Sequence, residues 1–258
     1  MVAYNDSPNR KILGAITPSL FRGKMRGVSK RGETRQYGSW LVDHGITEVE
    51  VMYEASESDG SHALESVWAT GSLDVLIPPA RTLADSGCSA LVWPCTCASF
   101  IGGLKWSVEQ TQGLTSATGL PATSTSLAIV AALGKLHANT VDILSPYPTS
   151  LTEKLVNFLG DADVKVADVA SLGAADDSIS QKMDLLQEAK KFSGRLFPRA
   201  HPLLIPDTAV FSLSVVPLLE EALGRPVVAA NHATLWQSLI LLREYRPLPN
   251  AGRLFSDE

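Results

Sequence analysis

Leu91-Val92-Trp93-Pro94-Cys95-Thr96 and Leu203-Leu204-Ile205-Pro206-Asp207-Thr208 follow one pattern: three apolar residues, a proline, an ionisable residue and a threonine. Downstream of the first comes Gly119-Leu120-Pro121-Ala122, and downstream of the second Gly224-Arg225-Pro226-Val227. Each then leads into a polar turn and an apolar helix, Ser124-Thr125-Ser126-Leu127 in one copy and Ala230-Asn231-His232-Ala233 in the other. A supersecondary unit that occurs twice predicts two similar lobes.

Working outward, short β-rich runs alternate with longer helical patterns nearly from end to end, the mark of βα units around a mostly parallel sheet. Strands are predicted over Lys11–Ile16, Thr47–Met52, Ala90–Trp93, Ala122–Ser124, Thr140–Leu144, Val164–Val169, Leu203–Ile205 and Val227–Ala229. Helices are predicted over Ser72–Ser86, Ser107–Thr118, Leu127–Leu136, Ser150–Leu159, Met183–Phe192, Val215–Leu223 and His232–Leu242. No long linker or low-complexity tract breaks the rhythm, so the lobes are expected to pack closely, with residues 1–122 plus 230–258 in the first and 123–229 in the second.

A chain of 258 residues, 45% hydrophobic and 19% charged, has the composition of a folded globular protein. Its formal charge of -5 is scattered, with no basic stripe to meet phosphates, so nucleic acid is not expected as a partner. The polar start and the lack of a long apolar run lead to the expectation of a cytoplasmic protein without membrane association. Three cysteines, Cys88, Cys95 and Cys97, are too few for a disulfide scaffold and are read as reduced thiols. No residue pattern fixes the oligomeric state, and an apolar edge suited to a homo-oligomer is compatible with such a fold.

Ligands of open parallel sheets bind beyond the carboxyl ends of the strands, where Cys95 and Asp207 both stand. Pro94 and Pro206 end strand pairing, and the following residues are expected at the mouth of a helix, whose free N–H groups favour an anion such as a carboxylate. That setting makes Cys95 a nucleophile or base, with Asp207 either the opposed acid/base or a cap on the next helix. Thr96 and Thr208 offer hydroxyl donors, and Cys97 is read as pocket wall. Tyr147 is read as a substrate donor or a packing residue, and Ser19 as a residue of the pocket mouth or a turn. His232, in the polar turn of the second copy, is placed to reach the pocket, whereas His44, His62 and His137 read as surface or loop residues and Cys88 as structural. Cys95-Thr96-Cys97 lacks metal-site spacing, and no dinucleotide, P-loop or GxSxG motif occurs, so neither metal nor cofactor is expected.

Taken in order, Pro94-Cys95-Thr96-Cys97-Ala98-Ser99-Phe100 with Gly102, Gly119-Leu120-Pro121, Pro146-Tyr147, Val216-Pro217 through Glu220, Gly224-Arg225-Pro226-Val227-Val228, the helix of Trp236 and Gly252-Arg253-Leu254-Phe255 resemble the aspartate/glutamate/hydantoin racemase superfamily. Within it they are similar to the arylmalonate decarboxylase and maleate cis-trans isomerase branch. The resemblance implies an α/β fold of two doubly wound parallel-sheet lobes related by a pseudo-twofold axis, with the active site between them. It also implies two cysteines flanking the substrate, one matching Cys95 and the other replaced here by Asp207, with Thr96, Ser126 and Tyr147 holding carboxylate oxygens. The expected activity is cofactor-independent isomerisation or racemisation of a small mono- or dicarboxylate. The alternatives are arylmalonate-type decarboxylation with protonation from Cys95, and a carboxylate-binding protein without turnover.

Overall fold

The computed structural model describes residues 10–19, 33–194 and 201–257, Ser19 by its backbone alone. Its strands are β1 Lys11–Ser19, β2 Val49–Glu57, β3 Ala90–Trp93, β4 Ala122–Ser124, β5 Thr140–Ser145, β6 Lys165–Ser171, β7 Leu203–Ile205 and β8 Val227–Ala229. The helices are α1 Tyr37–Asp43, α2 Leu64–Thr70, α3 Leu73–Asp85, α4 Thr96–Phe100, α5 Gly103–Thr118, α6 Thr125–Lys135, α7 Thr149–Asp161, α8 Asp177–Ser180, α9 Leu185–Ser193, α10 Val216–Leu223 and α11 Ala230–Leu242. Short 3-10 turns at Glu33–Gln36 and Arg253–Phe255 complete the elements of the described residues. All the strands expected from sequence form, and the elements missed are short helices in loops.

Two parallel four-stranded sheets carry the repeat, in the orders β2-β1-β3-β4 and β6-β5-β7-β8. The register repeats as well. Leu91 faces Ala122 across β3 and β4, and Leu203 faces Val227 across β7 and β8. Because β4 runs to Ser124 on the first sheet, that sheet keeps the chain slightly beyond position 122. The central strands are buried on both faces by helices, which is why β3 and β7 read as continuous apolar runs rather than alternating ones. β1 extends past its expected end through Pro18. There it pairs with β2 alone, because β3 meets only Leu13–Ala15, so the missing N–H falls on the unpaired side.

One large apolar cluster, from Leu13 and Trp93 through Phe100 to Phe255, fills the first lobe and runs without a break into the second, where it takes in Val141, Ile143, Phe158, Leu204 and Val228. A smaller one, including Leu144, Phe192, Leu203 and Leu219, covers the other face of the second sheet. Cys88 belongs to the first cluster and packs against Gly14, where an added Cβ would stand 3.0 Å from its Sγ, in keeping with a structural thiol. In the second lobe the buried Arg225 pairs with the buried Asp142 of β5 and donates to the His201 carbonyl at 3.0 Å, joining the start of β8 to the sheet centre.

The paired glycines of the sequence repeat do the same work in each lobe. Gly119 (φ 74°) ends α5 and Gly224 (φ 66°) ends α10, both in the left-handed conformation that a side chain disfavours. An added Cβ would meet nothing within 4 Å at either position, so the cost of substitution is conformational alone. Gly119→Ala and Gly224→Ala are each expected to lower stability by about 1 kcal/mol. Urea denaturation measures this, and a change near zero would show that the turn is not held left-handed.

Candidate active site

Cys95 follows Pro94 at the carboxyl end of β3 and caps α4 in an extended conformation (φ -136°, ψ 111°). α4 is a single short turn because Gly102 and Gly103 end it. Gly103 has φ +81°, and an added Cβ on Gly102 would stand 2.6 Å from Trp106. The helix mouth expected behind Cys95 is therefore too short to carry much dipole. Its side chains and single N–H groups, rather than a macrodipole, define this half of the site.

Asp207 departs from expectation in the same way. No helix begins after Pro206, and α10 starts only at Val216, so Asp207 does not cap a helix. Its Oδ1 accepts a bond from the Ala209 N–H at 2.9 Å within a turn. Its Oδ2 is buried and meets no partner among the described residues. A buried carboxylate oxygen left bare is costly unless a ligand or a proton completes it.

Both residues line one cavity at the carboxyl ends of the two sheets. Pro18, the Ser58–His62 turn and α2 form one wall, Cys95 and Cys97 the floor, and Tyr147, Asp177, Asp207 and Thr208 the opposite wall. About 370 Å³ of space lies between these atoms, the open mouth included. The first-lobe turn is stitched to the second lobe here. The His62 N–H donates to the Ala175 carbonyl at 2.9 Å and the Asp177 N–H to the Gly60 carbonyl at 3.1 Å.

His62, taken from sequence as a surface or loop residue, is instead 3% exposed and faces the cavity. Its Nδ1 lies 2.8 Å from the Ala174 carbonyl, which can only accept, so Nδ1 carries a proton. Its Nε2 lies 3.2 Å from Asp177 Oδ1, and the ring stands edge-on to Tyr147 at 4.9 Å. Burial alone opposes charging the ring, but the Asp177 hydrogen bond, Asp207, Cys97 and the Ala174 carbonyl outweigh it and raise His62 to about 10. His62, Asp177 and Asp207 place one donor atom each within 4.8 Å of one another. With Nε2 already directed at a carboxylate, we read the group as an ion-pair network rather than a metal site.

The electrostatics of the remaining groups follow from this arrangement. Burial raises the Asp207 carboxyl above the usual carboxylate range, the His62 charge offsets part of the rise, and the Asp177 carboxylate adds to it. The adjacent Cys95 side chain, and then burial, push the Cys97 thiol up. Tyr147 lines the cavity but donates its hydroxyl proton to the Pro206 carbonyl at 2.6 Å, so toward a ligand its oxygen acts as an acceptor. Thr208 lines the wall, and the buried Thr96 hydroxyl beside Cys95 has no partner among the described residues.

Three expected site residues are not among those that line the cavity: Thr96, whose buried hydroxyl lies next to Cys95, Ser126 and His232. Ser126 is fully buried beneath α4, donating to the Thr96 carbonyl at 3.1 Å and meeting the Ser99 hydroxyl at 2.5 Å, so it braces the Cys95 turn instead of touching a ligand. His232 is buried in α11 with Nε2 2.5 Å from the Ala251 carbonyl and its ring against Phe255. Burial lowers it to about 4, the value of a neutral packing histidine under the C-terminal tail. The Ser19 side chain lies outside the described residues, although its neighbour Pro18 lines the cavity. The sign that could have found His62 and Asp177 is their position: the Ser58–His62 turn follows β2 and the Asp176–Asp177 pair follows β6, both at carboxyl ends.

Residues 61–255 match the family model described as arylmalonate decarboxylase. The chain belongs to the arylmalonate decarboxylase family. It is 26% identical to the arylmalonate decarboxylase of Bordetella bronchiseptica over 188 residues, 72% of this chain and 78% of that one. It is 27% identical to a maleate isomerase of Pseudomonas putida over 180 residues, 67% of this chain and 72% of that one. The structure of a Nocardia farcinica maleate cis-trans isomerase variant with a covalently bound succinylcysteine intermediate matches over 96% of this chain and 99% of its own, with TM-score 0.82 at 19% identity. At that identity the likeness establishes the two-lobed fold. As a member of the arylmalonate decarboxylase family the chain is an enzyme.

Proposed function

We propose that this chain is a cofactor-independent isomerase or racemase of a small mono- or dicarboxylate, with Cys95 as nucleophile or base and Asp207 as the opposed acid/base. The observation that carries the reading is that these residues end topologically equivalent strands and line one cavity from opposite lobes. In a racemisation the Cys95 thiolate takes the proton from the carbon beside the carboxylate, and the electron pair stays as an enediolate. Asp207, entering as the acid, gives a proton to the opposite face. In an isomerisation the thiolate adds to an alkene carbon, the displaced pair moves onto the neighbouring carboxylate, and the resulting single bond rotates. Reversal then expels the thiolate. The succinylcysteine of the Nocardia farcinica relative supports the addition route. Thr96 and Thr208 supply hydroxyls for a carboxylate, and Cys97 and Tyr147 shape the wall. The lobe division at 122/123 and 229/230, with the strand end at Ser124 as its fine adjustment, belongs to the same proposal, as does a cytoplasmic location. Among the described residues no helix is long and apolar enough to cross a membrane.

The family match favours one second reading, decarboxylation of a substituted malonate. There the bond to one carboxylate breaks, carbon dioxide leaves, and the Cys95 S–H protonates the enediolate that remains. Only this reading releases carbon dioxide, so product analysis separates the two.

Iodoacetamide labelling at pH 8, mapped by mass spectrometry with and without maleate or a substituted malonate, tests the site. Cys95 is expected to be alkylated and to be protected by the acid that is turned over. Cys88 stays unmodified, since burial and Glu50 push it up to about 11. Labelling of Cys95 at one rate whatever acid is present would overturn the assignment.

A further inference from the structure

We propose that His62 is the positioning residue for Asp207: fixed between the Ala174 carbonyl and the Asp177 carboxylate, its imidazolium compensates Asp207 and lets a buried carboxylate exchange protons with substrate where a thiol would otherwise stand. The inference rests on the proposed Cys95–Asp207 chemistry and adds a charged partner to its second half.

Asp207 is 3% exposed; one of its oxygens accepts from the Ala209 N–H, and the other has no close hydrogen-bond partner among the described residues, with the Ser180 side chain as its uncharged polar neighbour. A lone carboxylate so placed prefers to hold its proton, which suits neither direction of a reversible proton transfer. The compensating charge has to come from nearby, and no lysine or arginine occurs among the described residues lining the cavity. His62 is the residue placed to supply it. Its Nδ1 is satisfied by a carbonyl and its Nε2 faces a carboxylate, an arrangement complete only when both nitrogens carry protons.

The groups facing His62 come from each element packed on it. Asp176 and Asp177 stand at the start of α8, Asp207 follows β7, Cys97 lies on α4, and Tyr147 follows β5. Two of the carboxylates differ in surroundings: the Asp177 side chain is 46% exposed, whereas Asp207 is shut in. Asp177 thus holds the imidazolium at the exposed rim of the cavity while Asp207 works in its buried wall. When the substrate C–H bond breaks toward this wall, the proton goes to an Asp207 oxygen and the electron pair stays on the enediolate. In the opposite direction the Asp207 O–H bond breaks and the new C–H bond forms. His62 gains and loses no proton in either step; its fixed charge keeps the two forms of Asp207 close in energy.

Carboxyl-carbon NMR of aspartate-labelled protein, with the Asp207 resonance assigned from Asp207→Asn, reads the effect without a substrate. Relative to the wild type, His62→Gln is expected to raise the Asp207 midpoint by about one pH unit or more, and His62→Lys, which keeps a positive charge, to restore most of it. In case His62→Gln does not fold, Asp177→Asn keeps the imidazole and removes its partner. Ring-carbon NMR of histidine-labelled protein should then show the His62 midpoint lowered by about a unit or more. An Asp207 midpoint equal in wild type and His62→Gln, a lysine variant that behaves as the glutamine one does, or a His62 midpoint indifferent to Asp177 would each overturn the proposal. Failure of acids to protect Cys95 from alkylation would instead strike the underlying reading and leave these titrations as they stand.

Discussion

Cys95→Ser is expected to lower kcat/KM by about 10³-fold or more on whichever acid protects the thiol, while the unfolding midpoint stays close to that of the wild type. The reason is chemical rather than steric. Serine preserves the extended cap before α4 and fits the space of a side chain only 6% exposed, but its hydroxyl does not ionise near neutral pH and is a far weaker nucleophile than a thiolate. The loss should fall mainly on kcat, because the bond made by sulfur exists in the transition state and not in the bound ground state. Cys97→Ser is the discriminating comparison. Cys97 shares the cavity floor, yet its thiol is pushed up by Cys95 and by burial, so it contributes wall rather than reactivity and its serine variant should lose much less. The reverse order of sensitivity would move the nucleophile to Cys97 and undo the correspondence between the ends of β3 and β7.

The repeat was legible in the sequence because it is written in residues with fixed local consequences. Pro94 and Pro206 must end strand pairing, and Gly119 and Gly224 sit where only a left-handed residue fits, so matching them aligned the lobes before any contact was known. Cys95 and Asp207 followed from that alignment. What sequence missed depends on contacts between distant segments. His62 stands in a polar turn of a kind usually exposed, and only the pairing of that turn with the Ala174–Asp177 segment of the other lobe buries it. His232 erred the other way: its polar neighbours suggested a pocket turn, but α11 begins at Ala230 and turns the ring onto the Ala251 carbonyl. Ser126 was misplaced because the short α4 lies over it and takes its hydroxyl. For the two histidines the local pattern is polar, and for Ser126 the expectation rests on the family resemblance; in all three the partner that consumes the polar group lies in a segment whose proximity the sequence does not encode.

The largest loss of stability is expected from Glu33→Ala. Glu33 is 2% exposed, and its carboxylate accepts from the Ser212 N–H at 2.7 Å, the Ser212 hydroxyl at 2.9 Å, the Leu213 N–H at 2.6 Å and the Asn231 amide at 2.7 Å. Burial pushes Glu33 up and these donors pull it back, so the network holds a buried acceptor whose removal leaves several buried donors unsatisfied. Each such orphan costs about 1–3 kcal/mol with incomplete additivity, so a net loss of about 3–4 kcal/mol is expected. For a chain of this length that is a fall in Tm of roughly 10 °C. Glu33→Gln should lose less, because its amide oxygen still accepts while its NH₂ faces donors. The same network reaches the site. Asn231, which takes a bond from the Tyr37 hydroxyl at 2.8 Å, also donates to the Thr208 carbonyl at 3.1 Å, directly beyond Asp207. Glu33 therefore fixes the loop that carries the second half of the cavity against the first lobe. Calorimetry together with kinetics well below the variant's Tm tests both parts. Activity should fall by more than the folded fraction accounts for, because the Asp207 loop loses its anchor; a variant that is destabilised but retains full kcat when folded would separate the stability of this clamp from the geometry of the site.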